Sequence, residues 1–176
     1  MHNLAVTAIG RDRPGIVAAI TSALLEAGGN VDDSQMSILH GHFAVMLIVS
    51  VPDDASLESL EARLDEVGRE FELGGITVSP VEELGRGAGP THVLTVYGAD
   101  QPGIVHDTAS TLASLNVNIT DLRTRRTGDP DSPLYTLMVE VAVPEGVGEE
   151  LDRALDRLRE SKQLEARLAE LESEVF

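Results

Sequence analysis

The 176-residue chain has no cysteine and no tryptophan, only two tyrosines and three phenylalanines, and one lysine beside twelve arginines. Without cysteine there are no disulfides, zinc–thiolate sites, iron–sulfur clusters or thiol nucleophiles. Aromatic residues make up 3% of a chain that is 42% hydrophobic, so its cores must be built from Val, Ile, Leu and Ala. Basic side chains are also scarce, 13 against 30 acidic ones, for a net charge of −17. Phosphate backbones are held by clustered Lys and Arg, so this balance argues against direct nucleic-acid binding. It suits small molecules or other proteins as partners. Long apolar runs are missing too: FAVMLIVSV (43–51) is far too short to cross a bilayer. The start, MHNLAVTAIGRDRPG, lacks the charged-then-apolar pattern of a signal peptide. The expectation is a cytoplasmic protein with no membrane contact.

What the chain does have is a repeat. GRDRPGIV (10–17) returns 88 residues later as GADQPGIV (98–105), with six of eight letters unchanged. Sliding the sequence by 88 pairs residues 4–33 with 92–121, and eleven of those thirty pairs are identical. Ordinary residue usage gives roughly two. The Gly-rich stretch ELGRGAGP (83–90) is a natural linker between copies. The expected division is a domain at 1–83, a linker at 84–90 and a second domain at 91–176.

Each copy reads alike. LAVTAIG and HVLTVYG alternate in apolar character and end at Gly, as half-buried strands do. Pro14 and Pro102 are expected to open helices, where a missing N–H costs nothing. Ile16, Ile20, Leu24 and Ala27 recur at helical spacing until Gly28 and Gly29 stop the pattern. A strand from Asn30, a turn at His40–His42 and the run FAVMLIVSV follow, the run suiting a central strand. A helix over ASLESLEARLDEVGREF points Leu57, Leu60, Leu64 and Val67 inward, and ITVSPV closes the unit. The final piece, KQLEARLAELESEVF, has two readings: a helix on Leu164, Leu168 and Leu171, or a strand with Leu164, Ala166 and Leu168 alternating. The repeat favours the strand. The order is βαββαβ twice, an α+β fold of two ferredoxin-like units. One unit alone leaves a sheet edge and a sheet face bare, which pairing of the two sheets or a homo-oligomer would cover.

The octapeptide joins strand one to helix one. There the first N–H groups (Gly15, Ile16, Val17) lack intrahelical acceptors and the macrodipole is positive, which favours a carboxylate or phosphate. Gly15 has no Cβ to keep a ligand from the backbone. Asp12 adds the opposite charge. Asn30, eighteen residues on, can both donate and accept, and belongs beside strand one's loop or across the sheet edge from a partner's loop. N–H groups, a carboxylate and an amide together fit a zwitterion, and the set recurs as Asp100, Gly103, Ile104 and Asn118. Each residue singly also has a plain structural role: Asp12 as a helix cap, Asn30 and Asn118 as turn residues, Gly15 for packing.

Strand–GxDxPGIV–helix–N[VI]xD–strand in a βαββαβ unit resembles the ACT domain family of amino-acid-responsive regulatory modules. The tandem layout is similar to the glycine cleavage system transcriptional repressor family. The resemblance implies an amino-acid effector bound where two ACT units meet. It would touch Asp12, Gly15, Ile16 and Asn30 in copy one, and Asp100, Gly103, Ile104 and Asn118 in copy two. Copy two departs by an acidic insertion, GDPDSP (128–133), that lengthens its hairpin.

Other constellations carry less. His40 and His42 lack a third metal ligand, and Asp129 and Asp131 read as a surface turn. Arg123 and Arg125 share a strand face while Arg126 points away, as salt-bridge partners or part of a protein contact. No nucleophile elbow or Ser–His–Asp order is present. The expectation is a non-catalytic sensor without cofactor or metal, signalling to a partner protein. Two rival classes are a dissociable regulatory subunit of a biosynthetic enzyme, and a small enzyme using His106 with Asp100 or Asp107.

Overall fold

The computed structural model describes residues 1–82, 85 and 87–171. Glu83, the linker residues Leu84 and Arg86, and positions 172–176 of the second domain lie outside the described residues. The chain forms two compact units, Met1–Gly85 and Arg86–Phe176. In the first, β1 (His2–Arg11), α1 (Ile16–Glu26), β2 (Asn30–Leu39), β3 (His42–Val51), α2 (Leu57–Glu70) and β4 (Gly75–Val81) follow in order. In the second, β5 (His92–Ala99), α3 (Ile104–Ser114), β6 (Asn118–Asp129), β7 (Ser132–Ala142), α4 (Gly148–Lys162) and β8 (Glu165–Glu170) repeat it. The sheets are antiparallel, ordered β2-β3-β1-β4 and β6-β7-β5-β8.

Alternation along the inner strands builds each core. Leu4, Val6 and Ala8 of β1 and Phe43, Val45, Leu47, Val49 and Val51 of β3 are buried on one face, under Ile16, Ile20 and Leu24 of α1 and Leu60, Leu64 and Val67 of α2. Leu57, expected inward, is the first residue of α2 and stays exposed. FAVMLIVSV is an interior strand, as its composition suggests, yet only one of its faces is sealed: Met46 is 53% exposed. The edge strand β2 is exposed along its whole length. At the C-terminal end the strand reading holds, with Leu164 and Ala166 buried against the second core.

The second core contains one polar intruder. Thr108, which takes the place of buried Ile20 in the repeat, is 1% exposed, and its hydroxyl has no partner among the described residues. Burying an unbonded hydroxyl costs about 1–3 kcal/mol. Thr108→Val is therefore expected to stabilise the protein by about 1 kcal/mol. The check is a denaturation midpoint that rises without a change of slope.

Candidate functional site

Both corners place a glycine, not a proline, at the helix entrance. Gly15 (φ 99°) and Gly103 (φ 95°) are the N-caps of α1 and α3, in the left-handed region that favours glycine. Pro14 and Pro102 thus precede the helices and do not open them, which corrects the expected helix start by two residues. Among the described residues no side chain caps either helix. Asp12 therefore does not serve as the cap of α1, and the unbonded first-turn N–H groups are those of Ile16, Val17 and Ala18. By contrast α2 is capped by Ser56, whose Oγ accepts from the Ser59 N–H at 3.2 Å.

The first corner is built around Gly10, Gly15 and the loop after α2. The Asp12 N–H donates to the Gly41 carbonyl at 2.9 Å, fixing the corner to the β2–β3 turn. Arg13 pairs with Glu72, which sits just past α2 with φ 53°. A Cβ built on Gly15 would lie 3.5 Å from the Phe71 ring, so an aromatic edge faces that glycine. The Asp12 side chain is exposed, and no cation lies within salt-bridge distance of it among the described residues. The first turn of α1 holds Ala18 and Ala19 and no acid.

The second corner has the same backbone with different occupants. The Asp100 N–H donates to the Pro133 carbonyl at 3.0 Å, on a hairpin lengthened by the pairs Gly128–Pro133 and Asp129–Ser132. The Asp100 carboxylate is 2.9 Å from Arg126 of β6. Gln101 donates to the Lys162 carbonyl at 2.9 Å, and the Lys162 ammonium is 2.7 Å from the Asp107 carboxylate. That hydrogen bond holds the Asp107 carboxyl below its ordinary range; partial burial opposes the shift, while the charges of Lys162 and His106 reinforce it. Of the arginine cluster, Arg123 pairs with Asp121 at 2.9 Å and Arg126 with Asp100. His106 is exposed, and the two carboxylates that an enzyme reading would give it are already engaged.

The asparagines lie elsewhere. Arg11, just before Asp12, is opposite His42, whereas Asn30 is opposite Ser50 on the same strand β3. At about 3.3 Å per residue this separates Asn30 from its own corner by roughly 26 Å. The same register holds for Asn118 (opposite Ala142) and the corner after Ala99 (opposite Leu134). Of the two expected positions for Asn30, the one beside its own strand-one loop is therefore wrong. Strand–helix–strand crossover makes β1 and β2 parallel, so β2 starts at the end where β1 starts. A bulge follows at once in each edge strand, between Val31 and Asp33 and between Ile119 and Asp121. In the first bulge Asp32 accepts from the Asn30 amide at 2.8 Å and from Ser50 Oγ at 3.3 Å.

Sequence reasoning missed Arg126, Phe71 and Lys162 as neighbours of the corners. A single slide of 88 cannot pair the last two, because the longer hairpin moves β7 to an offset of 92 and the connection after it, one residue shorter, leaves the rest of the repeat at 91: Leu73 faces Gly10 as Leu164 faces Gly98. The shared left-handed φ of 53° at Glu72 and Gln163 marks the same equivalence. Among the described residues there is no group of three His, Asp or Glu able to hold a metal, and no helix long and apolar enough to cross a membrane.

Models of the ACT domain family match residues 2–78 and 92–160. The chain belongs to the ACT domain family. Its two ACT domains stand in tandem. A UPF0237 protein of Methanopyrus kandleri is 39% identical over 72 residues, 40% of this chain and 80% of that protein. The glycine cleavage system transcriptional repressor of Escherichia coli K12 is 30% identical over 125 residues, 70% of this chain and 65% of the repressor. Among solved structures, an unknown protein from Galdieria sulphuraria superposes with a TM-score of 0.83 at 27% identity, over 97% of this chain and 99% of that one.

Proposed function

We propose that this tandem ACT protein is a non-catalytic cytoplasmic regulator that binds an amino acid, or a similar small metabolite, where two ACT units meet. Binding would shift how the units pack, and a partner protein would read the change, in transcriptional control of amino-acid metabolism such as that of glycine. A ligand can bias such an equilibrium only by its differential affinity for the two arrangements. The observation that carries this reading is the first corner. It combines uncapped helix N–H groups at Ile16 and Val17, a glycine N-cap, and an exposed Asp12 carboxylate with no cation within salt-bridge distance among the described residues. These are complements for a carboxylate and an ammonium held a few ångströms apart. The Asn component must then come from a unit other than the one giving the corner, since Asn30 lies at the far end of its own sheet. Similarity to the glycine cleavage repressor supports the regulatory role, and the scarcity of cations favours action through a protein partner over direct DNA contact.

A thermal-shift panel of the twenty amino acids tests it. A ligand at a hundred times its dissociation constant adds about 2.7 kcal/mol, several degrees in Tm. At least one amino acid is expected to give that shift. A flat panel sinks the reading.

A further inference from the structure

The two corners share a backbone, yet only the second holds an ion pair over its N-cap glycine. Across the repeat, Ile38 and Arg126 occupy one place, each two strands from the corner glycine: Gly10–Phe43–Ile38 in one sheet, Gly98–Tyr135–Arg126 in the other. Ala19 and Asp107 occupy another in the first helical turn, and Phe71 and Lys162 a third at the end of the second helix. Above Gly15 there is a phenyl ring. Above Gly103 there is an ammonium–carboxylate pair: a Cβ placed there would lie 3.3 Å from both the Asp107 carboxylate oxygen and the Lys162 nitrogen. These are the two charged groups that a free amino acid carries.

We propose that the second corner is an internally occupied form of the site, with the Lys162–Asp107 pair over Gly103 and Arg126 on Asp100 standing where a zwitterion's charges would stand. This rests on the amino-acid reading for what the first corner takes. Entry of a free amino acid at the second corner requires three unfavourable events. Its carboxylate would approach the N-terminus of α3 beside the Asp107 carboxylate, which already complements that end of the helix dipole. Its ammonium would compete with Arg126 for Asp100. Its backbone would have to displace Lys162, an intramolecular competitor whose effective concentration is of millimolar order or higher. The Lys162 main chain is itself held by Gln101, so the plug belongs to the corner's own loop. Arg13 stands where Gln101 does, and pairs with Glu72 without reaching over Gly15. Binding is therefore confined to the first corner, and Lys162 and Asp107 set the stoichiometry.

Equilibrium dialysis of the intact chain against each of the twenty amino acids at millimolar concentration, with bound molecules counted per chain, tests this directly. The comparison is wild type against Asp107→Asn/Lys162→Met. Lys162→Gln alone serves if the double variant is not folded by circular dichroism. The variant is expected to bind one more molecule per chain than wild type, and to keep that gain when Asp12→Ala is added. An unchanged count in the variant overturns the proposal, even where wild type binds one and the amino-acid reading stands. A wild type that binds none beside a variant that binds one supports the plug and removes the first corner. If neither binds any amino acid, both fall.

Discussion

Phe43→Ala is expected to cost about 3–5 kcal/mol, among the largest losses any single substitution in this chain would cause. Phe43 is one of only three phenylalanines and is 2% exposed. It lies on the interior strand β3, opposite Gly10 on one side and Ile38 on the other. Gly10 has no side chain that could collapse into the space left behind. Two ladders hold the strands apart, so the cavity would persist and the lost contacts would not be regained. For a unit of this size the transition of the first ACT domain should fall by more than roughly 10 °C. Its counterpart Tyr135 is only partly buried, so Tyr135→Ala should cost less. A change below about 1 kcal/mol for Phe43→Ala would mean that the end of the sheet beneath the first corner is not close-packed.

The second large effect separates the two copies. Gly10 and Gly98 are the same residue of the repeat, yet alanine should be tolerated at only one. A Cβ on Gly10 would meet Leu73 Cδ2 at 2.6 Å and, more seriously, the Leu73 Cα at 2.9 Å. Backbone is hard to move here, because the Gly74 N–H is bonded to the Ile9 carbonyl and the Leu73 N–H to that of Gly68. A Cβ on Gly98 would meet only the tip of Leu164 at 2.4 Å, with its Cα at 3.6 Å, and a leucine tip can change rotamer. Gly10→Ala is expected to cost about 2–3 kcal/mol and Gly98→Ala about 1 kcal/mol or less, read as denaturation midpoints. Equal costs would show that the loop after α2 yields as readily as a side chain.

Much of the architecture was legible because its signals are local. Alternation in LAVTAIG, helical spacing at Ile16, Ile20 and Leu24, and the turn at His40–Gly41 each depend on neighbours within one element. The strand at Glu165–Glu170 was readable only through the repeat, since EARLAE by itself is helix-forming. The helix start was off because a Pro before a Gly resembles a first turn, while Gly15 at φ 99° cannot be helical. The position of Asn30 relative to Asp12 is a matter of topology, and the parallel relation of β1 and β2 would have shown it. The occupants of the second corner were hidden for another reason. Lys162 and Arg126 reach Asp107 and Asp100 across long stretches of chain, by side-chain contacts that no short-range pattern encodes.

The central claim is that the first corner, with Asp12, holds an amino acid. Calorimetric titration of wild type and Asp12→Ala with whichever amino acid most raises Tm tests it most directly. Asp12 is exposed and caps no helix, so its loss should leave the fold intact. A charge-assisted hydrogen bond to the ligand ammonium is worth about 1.5–3 kcal/mol, so the variant's Kd should be weaker by roughly ten- to a hundredfold. Equal affinity in the two proteins would contradict the account.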